Sequence, residues 1–228
     1  MSSPIHALLL GTVLASMSQL GMSVFPAMTA VWRRPTELRW SDKGSGARKD
    51  FTAWRVTSPT THNLVVGDNC HASYSNYWDH QPGLEATYDP AALADPLDYE
   101  FIWNDAGSGA NLDGSFWRPV CPAGYTFVGH HFKTWWGKPP TNTNFKCVKE
   151  EYTEVVFIDY EATNWTAVWT DRGSGADRDV YVNKILGGVG QYCWAFPQFL
   201  AWDCGGPLGS CVDTPRRLKA SAVETVVL

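Results

Sequence analysis

Trp40-Ser-Asp-Lys-Gly-Ser-Gly-Ala-Arg-Lys-Asp50 returns later in the chain as Trp103-Asn-Asp-Ala-Gly-Ser-Gly-Ala-Asn-Leu-Asp113 and again as Trp169-Thr-Asp-Arg-Gly-Ser-Gly-Ala-Asp-Arg-Asp179. The three copies share Trp-x-Asp-x-Gly-Ser-Gly-Ala and a second Asp, and their tryptophans lie 63 and 66 residues apart. A near-constant period longer than one hairpin marks a duplicated supersecondary unit whose copies pack on one another. Three copies point to a closed, pseudo-three-fold object offering up to three similar sites.

Each copy is entered by a short apolar-aromatic strand, Glu37–Trp40, Tyr99–Trp103 or Trp165–Trp169, and left by a second, Asp50–Val56, Asp113–Pro119 or Asp179–Lys184. Between them the Asp side chain can bond backbone amides two residues on, and each Gly can take positive φ, so strand–turn–strand reads as a hairpin. Further strands are expected at Ala123–Phe132 and Asn144–Lys149 in the second repeat and Asn63–Cys70 in the first. Tyr192–Phe196 sits roughly there in the third but aligns poorly, and Pro90–Pro96 suits one helical turn. No segment holds a helical period, and 14 Pro and 20 Gly punctuate the rest. The fold class is all-β, with a pseudo-three-fold internal repeat.

At 228 residues, 44% of them hydrophobic, the chain fits one domain with a sizeable core. Residues 1–30 read as a leader and 31–228 as one domain, with repeats near 35–98, 99–160 and 161–228. The apolar run Ala7–Ala15 is too short to span a bilayer and suits a secretory signal, although no Lys or Arg precedes it. An even set of six cysteines (Cys70, Cys121, Cys147, Cys193, Cys204, Cys211) fits disulfides in an oxidising compartment. The sequence leaves their pairing open, though Cys204 and Cys211 flank a flexible stretch they could close. None has Cys-x-x-Cys spacing, which argues against a zinc site. The sequon Asn164-Trp165-Thr166 fits the same exported setting. A net charge of −5 with scattered basic residues argues against nucleic acid as partner.

The run Ile102–Ala110, followed by Phe116-Trp-Arg-Pro119, Pro122-Ala-Gly-Tyr125 and Val128-Gly129, resembles the family of the vacuolar protein sorting-associated protein 62. The resemblance is strongest over 99–132, good over 37–70 and reduced to the turn in 165–184, where Asn183-Lys184 replaces Trp-Arg. In the first repeat Arg55-Val56 replaces Arg-Pro. The resemblance implies a β-prism: three antiparallel sheets around a pseudo-three-fold axis, an architecture shared with some plant lectins. It implies fold far more than chemistry.

The candidate ligand-binding residues are those of the turns: Asp42, Gly44 and Gly46; Asp105, Gly107 and Gly109; Asp171, Gly173 and Gly175. A carboxylate beside glycine amides can bind sugar hydroxyls. The competing reading is that each Asp caps its own turn, which a pattern kept in three copies explains economically. Pairing each with the second acid (Asp42 with Asp50, Asp105 with Asp113, Asp171 with Asp179) would suit calcium at the hairpin mouth, without EF-hand spacing. Alternatively the second acids pair with Arg55, Arg118 or Lys184. No metal or other cofactor is otherwise expected. Asp-x-Gly-Ser also invites comparison with aspartic proteases, but x is Lys, Ala or Arg and there are three copies. The histidines, including the adjacent His130 and His131, read as surface or satisfied core residues. Tyr74, Tyr77, Trp78, Trp135 and Trp136 lie in polar or Pro/Gly-rich segments outside the repeat strands, where indoles and phenols can stack on sugars or sit at a membrane interface; of these Trp78, Trp135 and Trp136 join the candidate ligand contacts.

The expectation is a secreted, non-catalytic, lectin-like module that recognises glycan or glycolipid surfaces, where three weak sites would gain avidity. The alternative is a membrane-acting or toxin-like protein that uses the β-prism for membrane targeting. The sequence does not give the oligomeric state.

Overall fold

A hairpin forms at every signature, and the three hairpins organise the molecule. The computed structural model describes residues 27–56, 64–76, 81–85, 88–141, 144–155, 168–185, 192–197, 216–219 and 223–226. Most of the expected leader, the sequon at Asn164, Cys204, Cys211, Tyr77 and Trp78 lie outside the described residues. In chain order the strands begin with β1 (Met28–Arg33), β2 (Glu37–Ser41), β3 (Thr52–Arg55), β4 (Asn69–His71), β5 (Gln81–Glu85) and β6 (Leu93–Ala94). The second repeat gives β7 (Asp98–Asn104), β8 (Gly114–Val120), β9 (Tyr125–Thr126), β10 (His131–Thr134) and β11 (Cys147–Lys149). Then come β12 (Thr153–Val155), β13 (Trp169–Thr170), β14 (Val180–Lys184), β15 (Cys193–Pro197), β16 (Arg216–Leu218) and β17 (Val223–Val226). The all-β class expected from the sequence is the class observed.

Each repeat builds one three-stranded antiparallel sheet: β2-β3-β4, β7-β8-β10 and β13-β14-β15. The registers coincide, with Trp40 opposite Ala53, Trp103 opposite Phe116 and Trp169 opposite Val182. In the first two sheets the register shifts just before the signature Trp, between Leu38 and Trp40 and between Phe101 and Trp103. Such a bulge re-aims the side chain that follows it. All three tryptophans turn inward and are fully buried, in a shared core with Phe51, Phe116, Phe132, Val180 and Val182. The partly buried Ala47, Ala110 and Ala176, which close the signatures, pack on the same core.

Smaller sheets lie beside this core. Strand β1 runs antiparallel to β5 and parallel to β17, β11 joins β6 and β9, and β12 pairs with β16. They enclose a second apolar cluster around Met28, Ala30, Val66, Leu84, Val128, Val148 and Tyr192.

Several local expectations need correction. The single strand expected at 123–132 is two, β9 and β10, because the intervening residues leave the ladder for a bend. Asn63–Cys70 contributes only isolated bridges at Leu64 and Val65 before β4 begins at Asn69. The segment that aligned poorly, Tyr192–Phe196, supplies β15 and occupies the sheet position of β4 and β10. Pro90–Pro96 holds a turn and the short β6 rather than a helical turn: Ala91 N–H donates to Asp89 Oδ1 at 2.8 Å and Ala92 N–H to the Asp89 carbonyl at 2.9 Å.

Two disulfides are formed. Cys70–Cys193 ties the third strand of the first repeat sheet to that of the third, and Cys121–Cys147 closes a link within the second repeat. A buried ion pair adds a polar tie: Arg55 Nε and Nη2 donate to the two Asp68 oxygens, each at 2.6 Å. Asp68 Oδ2 also accepts Phe132 N–H at 2.7 Å, so first and second repeats meet on one carboxylate.

In the loop-entropy account a cross-link stabilises more when it spans more chain. The Cys70–Cys193 link spans 123 residues and Cys121–Cys147 spans 26. Replacing Cys70 and Cys193 with Ala should cost about 1 kcal/mol more in urea unfolding than replacing Cys121 and Cys147. The reverse order would contradict this account.

Candidate functional site

The chemistry of the signature is repeated bond for bond. In each turn the Ser amide donates to the Asp carbonyl, at 2.8 Å (Ser45), 2.9 Å (Ser108) and 2.7 Å (Ser174). Each Ser hydroxyl accepts the amide of the following Ala at 3.1 Å. Each Asp carboxylate reaches across the hairpin to the first residue after the second acid: Phe51 N–H at 2.8 Å, Gly114 N–H at 2.9 Å, and the Val180 amide. Both glycines of every turn take left-handed φ, between +73° and +97°. At Gly107 a side chain is excluded twice, by φ +82° and by Gly175 O only 3.0 Å from where a Cβ would stand.

The second oxygen of each carboxylate leaves its own repeat. Trp40 Nε1–H donates to Asp105 Oδ2 at 3.3 Å and to the Leu112 carbonyl at 2.8 Å. Trp103 donates to the Arg178 carbonyl at 2.5 Å and hydrogen-bonds Asp171. Trp169 Nε1–H donates to Asp42 Oδ2 at 2.9 Å. First repeat thus bonds second, second bonds third, and third bonds first. Contacts of this head-to-tail kind close into a ring when the rotation allows it. The three indoles meet edge to face, with centroids 5.4, 5.4 and 5.7 Å apart and planes at 72–75°. Backbone bonds reinforce two of the junctions: Asn111 N–H to the Lys43 carbonyl at 2.8 Å and Asp177 N–H to the Ala106 carbonyl at 2.9 Å.

This geometry corrects the ligand-contact reading of Asp42, Asp105 and Asp171. All three are buried, 0%, 2% and 5% exposed, and their oxygens are taken by amides and indoles. The glycines Gly44, Gly46, Gly107, Gly109, Gly173 and Gly175 are exposed at the turn surface. Two of the second acids, Asp50 and Asp179, stand close enough for their charges to act on Asp42 and Asp171. The calcium reading meets N–H donors on the inner carboxylates, which repel a cation. Among the described residues no three His, Cys, Asp or Glu gather around a common point. Nor do Asp50 and Asp113 take the basic partners considered for them: Arg55 pairs with Asp68 and Arg118 with Glu100.

The loop aromatics divide by role. Tyr74 bonds Asp42 and Asp50 through its hydroxyl, and Trp136 Nε1–H donates to Asp105 Oδ1. These two are equivalent, because Thr52 and Ser115 at matching positions donate to the carbonyl just before each, Ser73 at 2.9 Å and Trp135 at 2.8 Å. Sequence reading missed the equivalence because Tyr74 lies one residue further from its signature Trp than Trp136 does. Trp135 is different. It is 65% exposed, stacks on Trp136 at 6.3 Å, and has φ +81°, the one left-handed non-glycine residue among those described. A bulky side chain in that region is strained, and such strain persists where the surroundings enforce it.

The paired histidines are core residues: His130 Nδ1 accepts Ala195 N–H at 2.8 Å between Phe127 and Trp194, and burial holds it neutral, down to about 3. Burial raises Asp42, partly offset by its bonds to Phe51, Trp169 and Tyr74, and raises Asp171 to about 6, aided by the Asp179 charge. A carboxyl raised above its unfolded value contributes stability that is complete below about pH 4 and lost as pH rises through about 6. Asp171→Asn removes that loss. The stability of this variant relative to wild type should therefore be about 1–3 kcal/mol greater at pH 8 than at pH 4, read by urea denaturation. An equal effect at both pH values would show that Asp171 titrates normally.

With the geometry in place, comparisons with known proteins give two matches of different kinds. The family model described as vacuolar protein sorting-associated protein 62 matches residues 60–184. The crystal structure of GNIP1Aa from Chromobacterium piscinae superposes with a TM-score of 0.69 at 24% identity, over 87% of this chain and 38% of that one. This chain therefore spans well under half of the GNIP1Aa chain, and the likeness is one of fold. No curated protein matches.

Proposed function

The chain belongs to the family of vacuolar protein sorting-associated protein 62, and from that premise we propose that it is a secreted, non-catalytic, lectin-like module that recognises glycan or glycolipid surfaces, chiefly through its second repeat. The observation that carries this reading is Trp135. Its indole is presented to solvent on a strained backbone, above a second indole fixed to the buried Asp105. The first repeat supplies an internal control: the same scaffold position holds Ser73, without left-handed backbone. The fold therefore does not need a tryptophan there, and a flat aromatic face suits the apolar face of a sugar ring. The exposed glycine backbone of the turns offers amides and carbonyls to hydroxyls nearby.

The two disulfides fit an oxidising compartment and so favour secretion. The signature carboxylates are committed to hydrogen bonds within the fold, which fits a structural rather than an acid–base role for these three residues. The reading calls for no cofactor and no nucleic acid.

A membrane-targeting role, as part of a membrane-acting or toxin-like protein, is the second reading. It draws on Leu112, 41% exposed, which precedes the residue whose carbonyl accepts the Trp135 amide. Such an apolar pair at one edge could enter a lipid interface.

Trp135→Ala should lower binding to a glycan array by about tenfold or more, the order expected for a lost aromatic stacking contact, with the melting temperature unchanged. Undiminished glycan binding by this variant would refute the site. Leakage from sugar-free liposomes that depends on Trp135 and Leu112 would favour the second reading.

A further inference from the structure

We propose that the second-repeat site takes anionic saccharides, sugars bearing a carboxylate or a sulfate, with Lys133 and Lys138 recognising the charge beside the Trp135 face. This rests on the glycan-binding reading above and names the ligand class. The loop from Lys133 to Lys138 is braced from several sides. Trp135 N–H donates to the Asp113 carbonyl at 2.8 Å, Lys138 N–H to the Trp136 carbonyl at 3.1 Å, and Lys133 Nζ to the Lys138 carbonyl at 2.7 Å. Ser115 and Asp105 hold it from beneath through the Trp135 carbonyl and the Trp136 indole. The Trp135 face, the Lys133 ammonium and the Lys138 backbone are thus held on one braced loop, which lowers the ordering cost of binding.

The charges of this loop are unbalanced. Arg39, which also acts on Lys133, is neutralised by Glu37 and donates to the Phe132 carbonyl at 3.0 Å. Lys133 and Lys138 have no acidic partner among the described residues. Partial burial and then the Arg39 and Lys138 charges push the Lys133 ammonium below its ordinary range. An anion at this point would relieve both the repulsion and the desolvation.

The first repeat again shows that the fold does not require these groups. Lys133 stands opposite Ser115 where His71 stands opposite Thr52, and Asn76 follows Tyr74 at the spacing at which Lys138 follows Trp136. Both cations therefore accompany the exposed Trp135 and are absent where Ser73 replaces it. A discrete anion suits them better than an anionic bilayer. The whole chain carries −5, so an extended anionic surface brought against it meets net repulsion that a single anion held at the two lysines does not.

The test uses the full chain on an array of sialylated, sulfated and neutral oligosaccharides, with the Lys133→Gln/Lys138→Gln double variant, a Lys133→Arg/Lys138→Arg variant and Trp135→Ala. Acidic sugars should bind at least about tenfold more tightly than neutral ones, a difference of one charge-assisted contact. That preference should weaken with added salt, vanish in the Gln variant and survive in the Arg variant. Trp135-dependent binding of neutral sugars that ignores the lysine changes would overturn this inference and leave the glycan reading standing. No binding to any saccharide, or Trp135-dependent binding to phosphatidylserine vesicles alone, would overturn both.

Discussion

One hydrogen bond, made three times, closes this fold: an indole N–H from each repeat donated to the buried turn carboxylate of the next. Each carboxylate joins two functions that are usually separate. One oxygen completes its own hairpin by accepting a backbone amide, and the other receives the neighbouring repeat. A hairpin that loses its Asp would lose its turn and its partner together, so local and long-range order are coupled at one atom group. The three indoles then fill the centre that the ring defines, edge against face. Low dielectric strengthens these bonds, and it also makes a free buried carboxylate expensive, which is why Asp42 and Asp171 are drawn toward their neutral forms.

This division of labour explains what the three repeats share and where they differ. The shared positions serve the ring and the turns: Trp and Asp for closure, the glycines for left-handed backbone, Ser for its bond to the following amide, Ala for the core. What hangs on the scaffold is free to vary. At one loop position the second repeat presents Trp135 where the first has Ser73, and the flanking cations follow the same pattern. A near-symmetric fold thus carries an asymmetric surface.

Much of the architecture was legible in the chain. The tripled signature announces the hairpins, their number and the all-β class, because glycine and Asp turn chemistry is local and leaves its mark in sequence. What stayed hidden depends on contacts between distant segments. That Trp40 reaches Asp105, rather than its own Asp42, has no signal in a single repeat. The bulges before Trp40 and Trp103, the break between β9 and β10, and the capping of Asp105 by Trp136 all arise from tertiary packing. The candidate site is half visible in the chain: Trp135 and Trp136 stand together in one Pro/Gly-rich segment, yet only the structure separates the anchored indole from the exposed face.

The closure of the ring is open to one direct measurement, hydrogen exchange of the tryptophan indole N–H groups resolved by NMR. The account predicts that the Nε1 protons of Trp40, Trp103 and Trp169 exchange slowly and at a common rate, because they open only when the ring opens, while that of the exposed Trp135 exchanges at once. If any of the three ring indoles exchanges as fast as Trp135, the repeats are not held by these bonds and the central claim fails.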